Sequence, residues 1–241
     1  MKEKYLRFYR EYSISEKRIG KALGVIQEFL SIRKNPYIAF SGGKDSTVMM
    51  YLVSLLGNKE IPVFTQGDDL DFPDKEGHCR GVVDMLGFSN YSYVYSDVSA
   101  MEQIGKERIT GTFWEVIEKY REEIRADGVF MGLRAQESKA RTFVAKKKGV
   151  IYDVRDDVTR CLPVLYWRAE EIFAFIIQKD LPFHSIYDKS DLIEKYPHEM
   201  RFSWMYSPRF SQWGALIVLK KMYPDLARRL IMKCPQLRSY L

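Results

Sequence analysis

Short apolar runs alternate with amphipathic stretches along most of this 241-residue chain. Residues 14–33 carry Ile19, Leu23, Ile26, Phe29 and Leu30 at helical spacing. Asn35-Pro36 ends that pattern, since a residue before proline is pushed out of the helical region. The run 37–40 is wholly apolar and lies between Pro36 and Ser-Gly-Gly, which reads as a strand buried on both faces. A helix follows over 46–56, ended by Gly57-Asn58, and then a strand over 61–65. Further along, the pattern predicts a helix over 77–86, an alternating strand over 91–95 and a helix over 113–123. It continues with a buried strand over 128–132, a short strand over 150–154 and an amphipathic helix over 169–178, with helices near 215–223 and 225–232. This order predicts an α/β fold: a doubly wound, mostly parallel sheet flanked by helices, with a helical C-terminal region. No repeat, low-complexity segment or flexible linker interrupts it. The expected organisation is an α/β domain over 14–190 with a helical region over 191–241 packed on it.

The first strand runs into Phe40-Ser41-Gly42-Gly43-Lys44-Asp45-Ser46, and here the pattern carries chemistry. Two glycines permit backbone conformations closed to other residues and let a ligand approach the chain. The helix that follows turns unpaired N–H groups and its positive dipole end toward the loop, so an anion belongs there. Ser41 and Ser46 add hydroxyls, and Lys44 adds a full charge. Asp45 would repel phosphate, and is expected to reach a Mg²⁺ bound to it. A Walker A loop would need glycine where Ile38 sits and Ser or Thr where Asp45 sits, and no GxGxxG fingerprint is present.

The loop resembles the PP-loop, SGGxDS, of the ATP pyrophosphatases (the adenine nucleotide alpha hydrolase-like superfamily). Within that group the chain most resembles the phosphoadenosine phosphosulfate (PAPS) reductase family, which also holds the ATP sulfurylase small subunit and FMN adenylyltransferases. Three further stretches carry the resemblance. The segment from Gly67 to Asp74 loosely matches an Asp-Thr-Gly…Phe-Pro-Glu pattern, with Thr65 where the family has Asp. The stretch Gly132-Leu133-Arg134…Glu137-Ser138…Arg141 matches Gly-Leu-Arg…Glu-Ser…Arg. Pro163-Val164-Leu165-Tyr166-Trp167, then Leu181-Pro182 and Tyr187-Asp188, match the family's Pro-Leu-x-x-Trp helix and Leu-Pro…Tyr turn. The resemblance spans about residues 36–190 and implies a PP-loop nucleotide-binding domain over 14–190. It implies that Phe40, Ser41, Gly42, Gly43, Lys44, Asp45, Ser46, Gly67, Gly132 and Arg134 bind nucleotide. Lys44, Asp45 and Arg134 are the expected catalytic residues, Arg141 the expected binder of sulfate or another acceptor, and Asp45 the residue near Mg²⁺. Trp167, Phe173, Phe175 and Ile176 are expected in the core, and 163–187 is expected to be mostly scaffold.

The resemblance contains a fork. PAPS reductases act through a C-terminal cysteine in Glu-Cys-Gly-x-His, whereas this chain reads Lys233-Cys234-Pro235-Gln236. It lacks the paired cysteines of the iron–sulfur branch, and it keeps Lys44 and Asp45 as ATP-cleaving members do. The expectation is therefore ATP cleavage at the α–β bond with transfer of AMP to an acceptor that is sulfate-, flavin- or nucleic-acid-like. A sulfonucleotide reductase using Cys234 is the alternative, and a non-catalytic nucleotide sensor or partner-binding protein is a second.

Composition adjusts this picture only slightly. The formal net charge of +6 suits an anionic ligand without choosing one. Cys79, Cys161 and Cys234 are far apart, so neither an iron–sulfur cluster nor a zinc site is expected, and no ligand set forms around His78, His184 or His198. The expected cofactors are ATP and Mg²⁺. There is no apolar run of about 18 residues, so no membrane partner is expected. The charged N-terminal stretch lacks an apolar signal region, and a cytoplasmic location is expected. Expected partners are an adenine nucleotide and a small anionic acceptor, with a protein partner or a homo-oligomer left open. Arg201, Arg209, Lys220, Lys221, Arg228, Arg229 and Lys233 alternate with Phe202, Trp204, Tyr206, Phe210 and Trp213, and Lys146-Lys147-Lys148 form a basic cluster. Such a mixture suits single-stranded nucleic acid, but the favoured reading is an amphipathic helical tail with solvated charges.

Overall fold

The structure, a computed structural model, describes residues 1–96, 112–154, 158–202 and 215–240. Six strands form one sheet: β1 (Pro36–Ala39), β2 (Val63–Gly67), β3 (Tyr91–Tyr95), β4 (Gly128–Met131), β5 (Ile151–Asp153) and β6 (Thr159–Cys161). Their spatial order is β3-β2-β1-β4-β6-β5. All neighbours are parallel except β5 and β6, which pair antiparallel. The expected doubly wound, mostly parallel sheet is therefore present.

The described helices are α1 (Glu3–Glu11), α2 (Glu16–Ile32), α3 (Lys44–Ser54), α4 (Lys75–Leu86), α5 (Thr112–Glu123), α6 (Lys139–Lys148), α7 (Ala169–Gln178), α8 (Ala215–Met222) and α9 (Pro224–Lys233). Adjacent strand residues face opposite sides of the sheet. Ile38, Val63 and Phe130 enter a core with Ile26 and Phe29 of α2, Met49 and Leu52 of α3, Val82 of α4 and Phe175 of α7. Tyr37, Phe64 and Val129 pack on the other side with Tyr120 of α5. The Phe64 and Tyr120 rings stack there at 4.4 Å. Each fully buried side chain of this size contributes roughly 1.5–3 kcal/mol.

The helix over 169–178 is found where its amphipathic pattern puts it. Its first turn is tied down by Glu171, which accepts from the Arg168 N–H at 2.6 Å and from Arg18 at 2.8 Å. Three elements were not legible in the pattern. Helix α1 is charged almost throughout, but it buries Tyr5 and Tyr9, one turn apart, and packs on α7. Strand β6 holds only Thr-Arg-Cys and exists because β4 and β5 pair with it. Helix α6 buries only Ala145, so it shows no apolar stripe.

A parallel sheet places ligands outside its carboxyl edge, where the strand order changes direction. Here that point lies between β1 and β4. The register pairs Ala39 with Met131, so the segments beginning Phe40-Ser41 and Gly132-Leu133 leave the sheet side by side.

Candidate active site

The loop after β1 is held by a chain of hydroxyls. Ser46 Oγ donates to the Gly43 carbonyl at 2.9 Å, Ser41 Oγ lies 3.0 Å from Ser46 Oγ, and the Gly43 N–H donates to Ser41 Oγ at 3.3 Å. Gly42 adopts φ +79°, and a Cβ there would lie 2.7 Å from Cys79 Sγ. Only glycine meets both demands. The Gly42 carbonyl is 3.1 Å from His78 Nε2. A carbonyl only accepts, so Nε2 carries the proton. Burial, with the neighbouring His184 second, lowers the His78 pKa to about 4, so the ring is neutral.

Helix α3 begins at Lys44, two residues earlier than the pattern indicates, which places Lys44, Asp45 and Ser46 in its first turn. Their N–H groups have no acceptor within the helix. That of Lys44 is taken by the buried Tyr187 hydroxyl at 3.0 Å.

Charges alternate across the site. Lys44 Nζ lies 3.4 Å from Asp45 Oδ2, and Arg134 Nε donates to Asp45 Oδ1. The Arg134 backbone N–H donates to Glu137 Oε2 at 3.0 Å, and Glu137 also pairs with Arg141. Lys44 and Arg134 are buried, at 3% and 5% exposure, and the five groups sum to one positive charge. Burial depresses the Lys44 ammonium pKa, and Asp45 opposes that shift.

The segment after the 3-10 turn Pro197–Glu199 lies against the same loop. Lys44 Nζ donates to the Met200 carbonyl at 2.8 Å. The Phe202 ring sits 3.2 Å from where a Gly42 Cβ would be. Arg201 donates to the Glu137 carbonyl at 2.8 Å. Residues from 41 to 202 are thus brought onto one corner of the sheet.

The family model for the phosphoadenosine phosphosulfate reductase domain matches residues 35–215. The chain belongs to this family. It is 21% identical over 194 residues to the phosphoadenosine 5'-phosphosulfate reductase of Aliivibrio fischeri, spanning 76% of this chain and 74% of that protein. The PAPS reductase of Candida auris, solved as a phosphate complex, superposes with TM-score 0.53 at 16% identity over 74% of this chain and 93% of that one. The FMN adenylyltransferase of Candida glabrata, solved with FMN and the ATP analogue AMPCPP, superposes with TM-score 0.57 at 16% identity over 78% of this chain and 68% of that one.

Within this PAPS reductase-family fold, several expected site residues take other partners. Both oxygens of Asp45 face cations, Oδ2 the Lys44 ammonium and Oδ1 the Arg134 guanidinium. Among the described residues no group of three or more His, Cys, Asp or Glu is arranged for a metal ion. Arg141 is 42% exposed and paired with Glu137. Gly67 has a packing reason, because a Cβ there would meet the Tyr93 ring at 2.4 Å. Gly132 likewise lets the end of β4 touch Ser46. Tyr187, expected as scaffold, reaches the loop itself. Its Leu-Pro…Tyr context was visible, but nothing local showed its hydroxyl meeting Lys44. Met200 was missed because a backbone carbonyl leaves no mark in a sequence.

The reductase fork turns on Cys234. It is 3% exposed in a cluster with Leu70, Phe72 and Phe202, and burial raises its thiol pKa. The three cysteines form no disulfide. No described helix is long and apolar enough to cross a membrane. Of the basic and aromatic tail, Trp204, Tyr206, Arg209, Phe210 and Trp213 lie outside the described residues.

Proposed function

We propose that this PAPS reductase-family chain binds ATP on the loop Ser41–Ser46 and cleaves it between the α and β phosphates, passing AMP to an acceptor. The observation that carries this reading is the meeting of Lys44 and Arg134 with the first-turn N–H groups of α3 at the switch point of the sheet. The acceptor oxygen forms a bond to the α-phosphorus. The bond from that phosphorus to the bridging oxygen breaks, and pyrophosphate leaves with its electron pair. Lys44 exchanges the Met200 carbonyl for the leaving pyrophosphate, and Arg134 adds charge from the adjacent strand. Fixed donors at the point where charge develops are the main source of rate acceleration in such transfers. An oxyanion acceptor needs no base. Mg²⁺ arrives with the nucleotide as part of the substrate.

The Cys234 environment favours this reading over sulfonucleotide reduction. A buried thiol with a raised pKa offers little thiolate, and thiolate is the nucleophile in thiol chemistry.

The test is incubation with Mg²⁺ and ATP labelled at the α-phosphate, resolved with and without sulfate, FMN and oligonucleotides. Pyrophosphate with labelled AMP or an AMP adduct is expected, is abolished in Lys44→Ala, and survives in Cys234→Ser. Intact ATP under every condition, or loss of activity in Cys234→Ser, would overturn the proposal.

A further inference from the structure

The position of α6 in the sheet points to the class of acceptor. Strand β4 ends at the carboxyl edge. Strand β5 runs antiparallel to β6, and its first residue, Ile151, pairs with Cys161, the last residue of β6. Both ends of α6 therefore lie at the ligand edge. The helix does not cross a face of the sheet as a β-α-β connection does, but lies along the edge that carries the site. Its first turn is fixed there by Ser138, which accepts from the Arg141 N–H at 3.1 Å. Thr142 adds a bond to the Ala135 carbonyl at 2.8 Å, one residue beyond Arg134.

What the helix displays is unusual for a solvated face. From Ser138 to Tyr152 there are five cations and no Asp or Glu. Among the described residues, Arg141 is the one of these paired with an acidic group, Glu137. Phe143 is 67% exposed in the middle of the helix. Tyr166, on the segment leaving β6 at the same edge, is 56% exposed and anchored by its hydroxyl to the Ala145 carbonyl at 3.0 Å. Lys148 lies over the Tyr152 ring at 5.1 Å. Lysines interleaved with exposed rings match a chain of phosphates with unstacked bases. A membrane-surface helix gathers its apolar side chains on one face apart from its charges, whereas Phe143 shares its face with Lys146 and Lys147, three and four residues on.

We propose that α6 and Tyr166 form a binding surface for single-stranded nucleic acid, which carries the acceptor group to the site. Phosphates run along Lys146, Lys147 and Lys148, and bases stack on Phe143 and Tyr166. The helix is about 15 Å long, so a strand lying on it reaches Arg134 and the glycine loop. This inference rests on the adenylyl-transfer reading for its purpose. A terminal phosphate oxygen of the strand, already an oxyanion, is the acceptor in the transfer already written, so no proton has to be removed and no further reactant is needed.

The experiment is fluorescence anisotropy of the full chain with labelled single-stranded DNA and RNA, with duplex and an acidic peptide alongside, across a salt series. ATP binding is measured on the same preparations. Single strands are expected to bind more tightly than duplex, and preference for DNA or RNA identifies the source. Substituting Lys146, Lys147 and Lys148 together by Ala should lower the salt slope by about 2, since each phosphate contact contributes about 0.7 for single strands. Phe143→Ala should weaken binding about tenfold and leave the slope unchanged. Both changes lie on exposed positions, and unchanged melting and ATP binding verify folding.

The inference is overturned if no oligonucleotide binds at about 50 mM salt, or if the triple variant binds like the parent. It also fails if duplex or acidic peptide binds as well as single strands while Phe143→Ala has no effect. ATP binding without oligonucleotide binding refutes this surface and leaves the nucleotide reading standing. Oligonucleotide binding without ATP binding does the reverse.

Discussion

Gly132→Ala probes the contact on which the site geometry depends. Gly132 follows β4, and a Cβ placed on it would lie 2.4 Å from both the N and Cα atoms of Ser46. Ordinary contact starts near 3.4 Å, so the end of β4 and the first turn of α3 must part by about 1 Å. Both obstacles are backbone atoms, so no side chain can swing away. Overpacking of this kind costs about 3 kcal/mol. For a chain of this size that is a drop in Tm of about 6–12 °C. The same displacement moves Asp45 and Ser46, whose N–H groups are the proposed phosphate donors, so ATP affinity should fall with stability. Gly81→Ala is the control. Gly81 lies inside α4, and a Cβ there meets nothing within 4 Å. That change should stabilise the protein by about 0.5–1 kcal/mol and leave ATP affinity alone. Differential scanning calorimetry and isothermal titration with a non-hydrolysable ATP analogue read both quantities. A Gly132→Ala protein that melts within about 1 °C of the parent and binds the analogue equally well would refute this account of the β4–α3 contact.

Asp45→Asn leaves buried Lys44 and Arg134 without their shared counter-ion, and should cost about 3 kcal/mol in urea unfolding. Adding Arg134→Gln should restore part of that loss, and strict additivity would show that the pair does not interact. Tyr187→Phe removes the acceptor of the Lys44 N–H and should lower stability by about 1–2 kcal/mol, with no change if water replaces the hydroxyl freely. His78 has a folded pKa of about 4 against an ordinary value of 6.5. Between those values the unfolded chain holds a proton that the folded ring lacks, so stability rises with pH across this window and is lost as pH falls below about 6.5, by at most about 3 kcal/mol. His78→Gln keeps a donor for the Gly42 carbonyl and should flatten that dependence by about one proton; an unchanged pH slope of Tm would show that His78 does not contribute it.

Much of the fold was readable because its signals are local. The run 37–40 between a proline and two glycines, and the stripe over 169–178, announce their elements without reference to the rest of the chain. Elements that owe their existence to partners were silent. β6 is a strand because β4 and β5 bracket it, and α1 is held by two tyrosines against α7. The glycine loop was legible for the same reason as the strands: unpaired N–H groups, permissive backbone and a nearby lysine all fall within seven residues.

By itself, then, the sequence determined that a glycine-rich loop with a lysine follows a buried strand, that an arginine follows another, and that Cys234 lacks the Glu-Cys-Gly-x-His reductase motif. Tertiary structure decided what those groups do to one another. The sheet order places β1 beside β4, and so sets Arg134 against Asp45. The chain's path after α7 brings Tyr187, Met200 and Phe202 onto the loop, where the Tyr187 hydroxyl accepts from the Lys44 N–H, the Met200 carbonyl accepts from its ammonium and the Phe202 ring packs against Gly42. The antiparallel pairing of β5 lays a basic helix along the carboxyl edge of the sheet instead of across a face. Propensity and periodicity are encoded over a few residues, whereas the partner of a charge depends on which strands are neighbours. That choice is made by burial across the whole sheet, and no local pattern records it.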